Sequence, residues 1–202
     1  MQSTLVNLPT TTGAAAATLL FERDYAQGNH WLDFLHLIRQ WPVYLAIQDP
    51  DALEEDYWCN LNDFRTTFTA KCAEMLGGVD VIVDTPSTRG YHRPYLSCFK
   101  KHYPKTYWLM LGKDQPPKPP VVVQGSSTIL KQLATADMHR ILIVDDVYAT
   151  GATAGRIVDF LRTKSLPSDV EFFIVAPLRI PANMMQTNNA DAIRAADLPS
   201  GE

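Results

Sequence analysis

A run of five residues, RILIV at Arg140–Val144, constrains the fold more than any other part of the sequence. Its four apolar residues follow one another without polar alternation, which is typical of a central parallel strand covered on both faces. A helical pattern follows at residues 154–164, and a second strong strand pattern follows at residues 170–178. Strands that alternate with helices in this way predict a layered α/β fold with a parallel sheet at its core.

Earlier segments extend the alternation. Further strand patterns fall at residues 79–83, 106–112 and 121–125, and further helical patterns at 93–103 and 127–137. Before residue 79 the chain is predicted to be helical, with one helix over 29–41, ended by Pro42, and another over 63–76. We therefore predict an α/β fold with a parallel-core sheet flanked by helices and an N-terminal helical extension.

The length and composition indicate a single domain, because 202 residues with 46% hydrophobic content suit one core of ordinary size. We predict a flexible N-terminus over residues 1–20 and one domain over 21–202, with its core at about 79–178. No run approaches the roughly 18 apolar residues of a membrane span, and no basic segment precedes the apolar part of the N-terminus. We expect no membrane partner.

Charge and cysteine content narrow the class further. The net charge is −4, with scattered Lys and Arg, which argues against a general nucleic-acid surface and favours a small-molecule partner. The three cysteines have no CxxC spacing, so neither a disulfide framework nor a zinc site is indicated. His92, Cys98 and His102 lie along one predicted helix without a further ligand, and we expect packing or surface roles for them. A reducing, cytoplasmic location fits best.

Two adjacent carboxylates, Asp145 and Asp146, follow the RILIV strand, and a VYATGAT turn leads from them into the next helix. Ligands of α/β folds gather outside the carboxyl ends of strands. Gly151 permits a tight turn, and the N–H groups of residues 151–153 with the hydroxyls of Thr150 and Thr153 can converge on a phosphate at the helix N-terminus. Because carboxylates repel phosphate, we expect them to face hydroxyl groups or a divalent cation. A sugar phosphate satisfies both requirements.

Other interpretations of this segment compete with a sugar-phosphate site. An acidic pair after ILIV also resembles the first strand of a receiver domain, but only 56 residues follow Asp146, too few for four more strand–helix units. Neither GxxxxGK[ST] nor GxGxxG occurs. The plainest alternative is that Asp146 caps a turn while Asp145 is solvated at a strand end.

The run ILIVDDVYATGAT, residues 141–153, resembles the phosphoribosyl-pyrophosphate (PRPP) signature of type I phosphoribosyltransferases: four apolar residues, two acidic residues and a Thr/Gly-rich loop. Tyr148 departs from the pattern, since the family usually has an aliphatic residue there. Outside this run the resemblance is architectural and covers roughly residues 79–178. It implies a parallel-sheet core and a separate small hood over the acceptor.

The resemblance also implies roles for individual residues. Asp145 and Asp146 would hold the ribose 2- and 3-hydroxyls, directly or through Mg²⁺. The loop around the 5-phosphate would comprise Ala149, Thr150, Gly151, Ala152 and Thr153. Pyrophosphate would bind after the first core strand, where the donors are Ser87, Thr88 and Arg89, although an ordinary Pro-Ser turn with a solvated arginine is an alternative. At residues 113–120, a lid and a plain surface connector both stay open.

The implied activity is Mg²⁺-dependent transfer of the phosphoribosyl group of PRPP to a nitrogenous small-molecule acceptor, with release of pyrophosphate, as in nucleotide salvage. A homodimer stays open. The alternative is a non-catalytic protein of the same fold that binds PRPP in regulation, competence or defence. The segment VIVDTPSTRGYHRPYL loosely resembles the first loop of competence-associated members.

Overall fold

The computed structural model describes residues 1–24, 31–39, 55–86, 90–113, 121–122, 138–164 and 166–180. In chain order its elements are β1 (Gln2–Thr10), β2 (Gly13–Phe21), β3 (Arg23–Asp24), α1 (Trp31–Arg39), α2 (Glu55–Leu76), β4 (Val81–Asp84), α3 (Arg93–His102), β5 (Tyr107–Met110), β6 (Gly112–Lys113), β7 (Val121–Val122), β8 (Arg140–Val144), β9 (Val147–Tyr148), α4 (Ala152–Arg162), β10 (Glu171–Val175) and β11 (Leu178–Arg179).

The main sheet has six strands in the order β1-β2-β10-β8-β4-β5. All neighbouring pairs from β2 to β5 are parallel, and only β1 runs antiparallel to its neighbour. Two small sheets accompany it, in the orders β3-β11-β9 and β6-β7. The predicted α/β class, with a mostly parallel central sheet flanked by helices, is confirmed.

The RILIV strand is covered on both faces, as its composition predicts. Ile141 and Ile143 belong to one core cluster, which includes Ile157 and Leu161 of α4. Leu142 and Val144 belong to the opposite cluster, which is built from buried side chains of α1, α2 and α3. Successive side chains of a strand point to opposite faces, so a strand buried on both sides needs apolar residues throughout.

The N-terminal residues correct the expectation of a flexible segment over 1–20. β1 and β2 form an antiparallel hairpin in the main sheet, with Thr10 paired to Gly13 across a two-residue turn. Ala15 and Ala17 are buried in the core cluster that contains α4. Alanine has low strand propensity, so tertiary packing and not local preference makes GAAAATLL a strand. The part before residue 79 therefore contains sheet as well as helix, which the predicted helical extension left out.

A close backbone contact joins this hairpin to α4. A Cβ atom at Gly155 would overlap the carbonyl oxygen of Pro9. Nearby, the Thr11 N–H donates to the Asp159 carboxylate at 2.8 Å. The absence of a side chain at Gly155 therefore lets the helix lie directly on β1.

Several element boundaries differ from the predicted ones. α2 begins at Glu55, eight residues before the predicted start, and α3 and α4 lie close to their predicted ranges. Val121–Val122 pairs antiparallel with Gly112–Lys113, so the predicted strand there belongs to a small ribbon outside the main sheet. The predicted helix at 127–137 lies outside the described residues. Within the described parts of the chain, no helix is long and apolar enough to cross a bilayer.

Candidate functional site

Asp145 and Asp146 lie directly past the carboxyl end of β8, between the ends of β4 and β10. The Asp145 N–H donates to the Val175 carbonyl at 2.9 Å, which continues the pairing with β10 by one residue. The two carboxylates thus lie at the sheet edge where ligands of α/β folds bind.

A cavity of about 100 Å³ opens beside Asp145 at the N-terminus of α4. Its lining residues are Ile143, Asp145, Val147, Tyr148, Ala149, Thr150, Gly151, Ala152, Thr153, Ala154 and Ile174. All five residues predicted to bind the 5-phosphate line this cavity together with one of the two carboxylates. Asp146 is not among its lining residues.

The helix end at this cavity is free of capping and acidic side chains. Gly151 is the N-cap residue, no side chain bonds into the cap, and the first turn has no acidic residue. The Ala152 N–H makes a long bond of 3.3 Å to the Thr150 hydroxyl oxygen. Since the first N–H groups of a helix have no partner within it and carry the positive end of its dipole, this end attracts an anion.

Gly151 is required here for two reasons. Its φ of 72° lies in the left-handed region, which strains residues with a Cβ atom. A Cβ atom there would also come within 2.7 Å of the Tyr148 hydroxyl and 3.1 Å of Leu8 Cδ2. The turn therefore has no room for a side chain between Tyr148 and Leu8, and Leu8 belongs to β1.

Tyr148, the departure from the family pattern, lines the cavity with its hydroxyl close to the Gly151 turn. Burial raises the pKa of this phenol, while the positive charge of Arg179 lowers it in part. The hydroxyl consequently stays protonated at neutral pH and is available as a hydrogen-bond donor to an anion in the cavity.

The two carboxylates have different surroundings. Asp146 Oδ2 accepts a hydrogen bond from Arg39 Nε at 2.5 Å, and the two side chains are only 9% and 11% exposed. The Asp146 N–H donates to Asp145 Oδ1 at 2.9 Å. Asp146 therefore contacts α1, whereas Asp145 faces the cavity. Arg39 was missed in the sequence, because a basic residue in the last turn of an amphipathic helix is common and has no motif.

Withdrawal from water and the negative charge of Asp146 raise the pKa of the Asp145 carboxyl well above its ordinary value. The Arg39 guanidinium opposes this increase only in part. A carboxylate in this condition is stabilised by any added cation or hydrogen-bond donor, which is what a ribose hydroxyl or Mg²⁺ would supply.

The predicted pyrophosphate residues Ser87, Thr88 and Arg89 lie outside the described residues. The residues on both sides of them are described. Asp84 ends β4 beside Val144, and its carboxylate pairs with the ring Nε2 of buried His92. Since β4 and β8 are neighbours, the segment after β4 starts next to the acidic pair.

A metal site made by protein side chains alone is not present in the described ranges, where no three His, Cys, Asp or Glu side chains gather around one point. Cys98 is buried and His102 is exposed on α3. The donor set at Asp145 fits a Mg²⁺ ion that is shared with a bound phosphate ligand, because Mg²⁺ keeps waters and substrate oxygens in its shell. Of the segment 113–120, only Lys113 is described, as the end of β6.

No family model matches the chain, and a comparison with curated proteins gives no significant match. Function is therefore inferred from the residues of the site.

Proposed function

We propose that this protein is a phosphoribosyltransferase of the type I architecture, which transfers the phosphoribosyl group of PRPP to a nitrogenous acceptor and releases pyrophosphate. One observation carries the proposal: a single cavity joins the Asp145 carboxylate to the open N-terminus of α4. A ligand with hydroxyl groups at one end and a phosphate at the other matches that pair of environments.

The phosphate half of the ligand would lie on the 149–153 loop. The left-handed turn at Gly151 leads into the first turn of α4, whose N–H groups have no partners within the helix, and the Tyr148 hydroxyl lies beside the same turn. No lysine is needed, because helix N-termini bind phosphate through backbone donors and the dipole.

The sugar half would contact Asp145. Its carboxylate accepts hydrogen bonds from the ribose hydroxyls, and Mg²⁺ bound there with the ligand would neutralise charge on the pyrophosphate. Asp146 orients its neighbour through the hydrogen bond from its own N–H to Asp145 Oδ1. With the sugar fixed at both ends, the nitrogen nucleophile and the anomeric carbon can be held in line.

The reaction breaks the bond between the anomeric carbon and pyrophosphate and forms a bond from that carbon to the acceptor nitrogen. Its transition state has oxocarbenium character, so catalysis depends on positioning and electrostatics more than on a nucleophilic side chain. In this proposal the Asp145 carboxylate would stabilise the positive charge that develops on the sugar. The free cysteines, two of them buried, fit the cytoplasmic location that we propose.

A second candidate is a PRPP-binding protein without turnover. The ion pair between Asp146 and Arg39 favours it, because one of the two carboxylates is already engaged by a side chain of the protein itself. Binding at the cavity would then regulate another function, and loss of catalysis on a retained fold is common.

Release of pyrophosphate from PRPP and Mg²⁺ across a panel of purines, pyrimidines and amines tests the proposal. We expect turnover with at least one acceptor and none in Asp145→Asn, which keeps the shape of the side chain but removes its charge. PRPP binding without turnover on any acceptor would favour the second candidate. If the protein neither binds PRPP nor turns it over, that result would contradict both candidate functions.

A further inference from the structure

Arg39 lies between the two halves of the proposed site. Its Nε donates to Asp146 Oδ2 at 2.5 Å, and its guanidinium carbon lies 5.1 Å from the centre of the Tyr91 ring. Asp146 belongs to the acidic pair after β8, and Tyr91 belongs to the segment between β4 and α3. One side chain of α1 therefore contacts both Asp146, next to the cavity-lining Asp145, and Tyr91, which follows β4.

The contact is more than a surface ion pair. Exposed pairs contribute little because water screens them and long side chains lose rotamer freedom. Here both partners are about nine-tenths buried, and the planar guanidinium can bond a carboxylate along its edge while its face covers an aromatic ring. The burial and the two-sided contact fix the position of Arg39, and through it the positions of its two partners.

The chain of contacts continues beyond Tyr91. The next residue, His92, is 1% exposed and pairs with the Asp84 carboxylate at the end of β4. Arg39 is thus connected on one side to Asp146, the second residue after β8, and on the other side, through Tyr91 and His92, to Asp84, which ends β4.

We propose that Arg39 is a positioning residue that fixes Asp146 of the acidic pair and Tyr91, which follows β4, relative to one another, so that both ends of a PRPP molecule are bound at once. The inference rests on the proposed function. Arg39 acts through Asp146 and Tyr91. Ribose 5-phosphate and pyrophosphate each use one of the two loops, whereas PRPP uses both.

The test compares the affinities of ribose 5-phosphate, pyrophosphate with Mg²⁺, and PRPP with Mg²⁺ by calorimetry. We expect Arg39→Met to weaken PRPP about 30–100-fold and each half-ligand by less than about 10-fold. Arg39→Lys should restore ribose 5-phosphate affinity, because an ammonium can still pair with Asp146, but not PRPP affinity, because it lacks the planar face over Tyr91. Tyr91→Leu should resemble Arg39→Lys.

Arg140→Met is the matched control. Arg140 also pairs with a carboxylate, that of Glu171, and its guanidinium also covers an aromatic ring, that of Phe173. It lies, however, at the opposite end of β8 from the acidic pair. The Arg140→Met substitution should lower the melting temperature and leave the affinities for all three ligands within about twofold of the wild-type values. Equal weakening of the three ligands by Arg39→Met, or the same weakening by Arg140→Met, would overturn the proposal.

A double-mutant cycle separates this proposal from the proposed function. The cycle measures the unfolding free energies of wild type, three single variants and two double variants in urea without ligand. The single variants are Arg39→Met, Asp146→Asn and Tyr91→Leu. Each double variant combines Arg39→Met with one of the other two. Coupling in both pairs supports the bridge, and zero coupling in either pair overturns it. Coupling together with a wild type that binds none of the three ligands would overturn the proposed function and leave the bridge standing.

Discussion

Gly155→Ala should lower the free energy of unfolding by about 1–3 kcal/mol, although alanine is the better helix former by about 1 kcal/mol. The reason is the Pro9 carbonyl oxygen, which occupies the position where the new methyl group would lie. Either the hairpin or α4 must move, and the neighbouring bond between Thr11 and Asp159 is lost with it. Urea unfolding measures the change, and we expect the melting temperature to fall by roughly 2–4 °C per kcal/mol.

Gly78→Ala is the control for this variant. Nothing lies within 4 Å of a Cβ atom at Gly78, and its φ is outside the left-handed region. Its stability should change by less than about 0.5 kcal/mol. If Gly155→Ala were as stable as wild type or more stable, the hairpin would not pack on α4 as described.

Asp145→Asn should stabilise the protein at neutral and alkaline pH while removing ribose 5-phosphate binding. The folded-state pKa of Asp145 is raised above the unfolded value of about 3.9, so the folded protein binds more protons in the interval between the two values. Wild-type stability therefore falls as the pH rises through the folded pKa, and the amide removes that loss. The variant should therefore melt at a higher temperature than wild type at pH 8.

The pH dependence identifies the cause of the stabilisation. The gain should be larger at pH 8 and should shrink as the pH falls toward the unfolded value of about 3.9, because the folded wild type is protonated more fully as the pH falls. Asp169→Asn serves as the control, since this side chain is 71% exposed, and it should show no comparable gain. A variant that is destabilised at pH 8, or that still binds ribose 5-phosphate, would contradict the assignment of Asp145.

The sequence predicted the central strand and the loop after it because their determinants are local. RILIV is apolar at every position that two covered faces require, and the acidic pair and Gly151 follow within seven residues. The start of α2 was predicted eight residues too late, because polar residues such as Asn62 and Asp63 are typical of helix N-caps. Tyr57 and Leu61, both buried, continue the apolar stripe about two turns further toward the N-terminus.

Other features depend on distant partners and have no local signal. The β1–β2 hairpin is alanine-rich, and its strand conformation comes from pairing with β10 and from contact with Gly155. Arg39 and Asp146 are separated by 107 positions in the chain, so only the fold brings them together. The sequence-based prediction assigned the same role to both carboxylates, whereas the structure places Asp145 at the cavity and Asp146 against α1.

The most direct test of the phosphate-binding cavity is the melting temperature of wild type and Gly151→Val with and without millimolar ribose 5-phosphate. A ligand that binds only the folded protein stabilises it by mass action, so wild type should melt at a higher temperature with the ligand. Valine would strain the left-handed turn and occupy the space beside the Tyr148 hydroxyl, so the variant should melt lower and show no ligand-dependent shift. No shift in wild type, or an equal shift in both proteins, would contradict phosphate binding at the 149–153 loop.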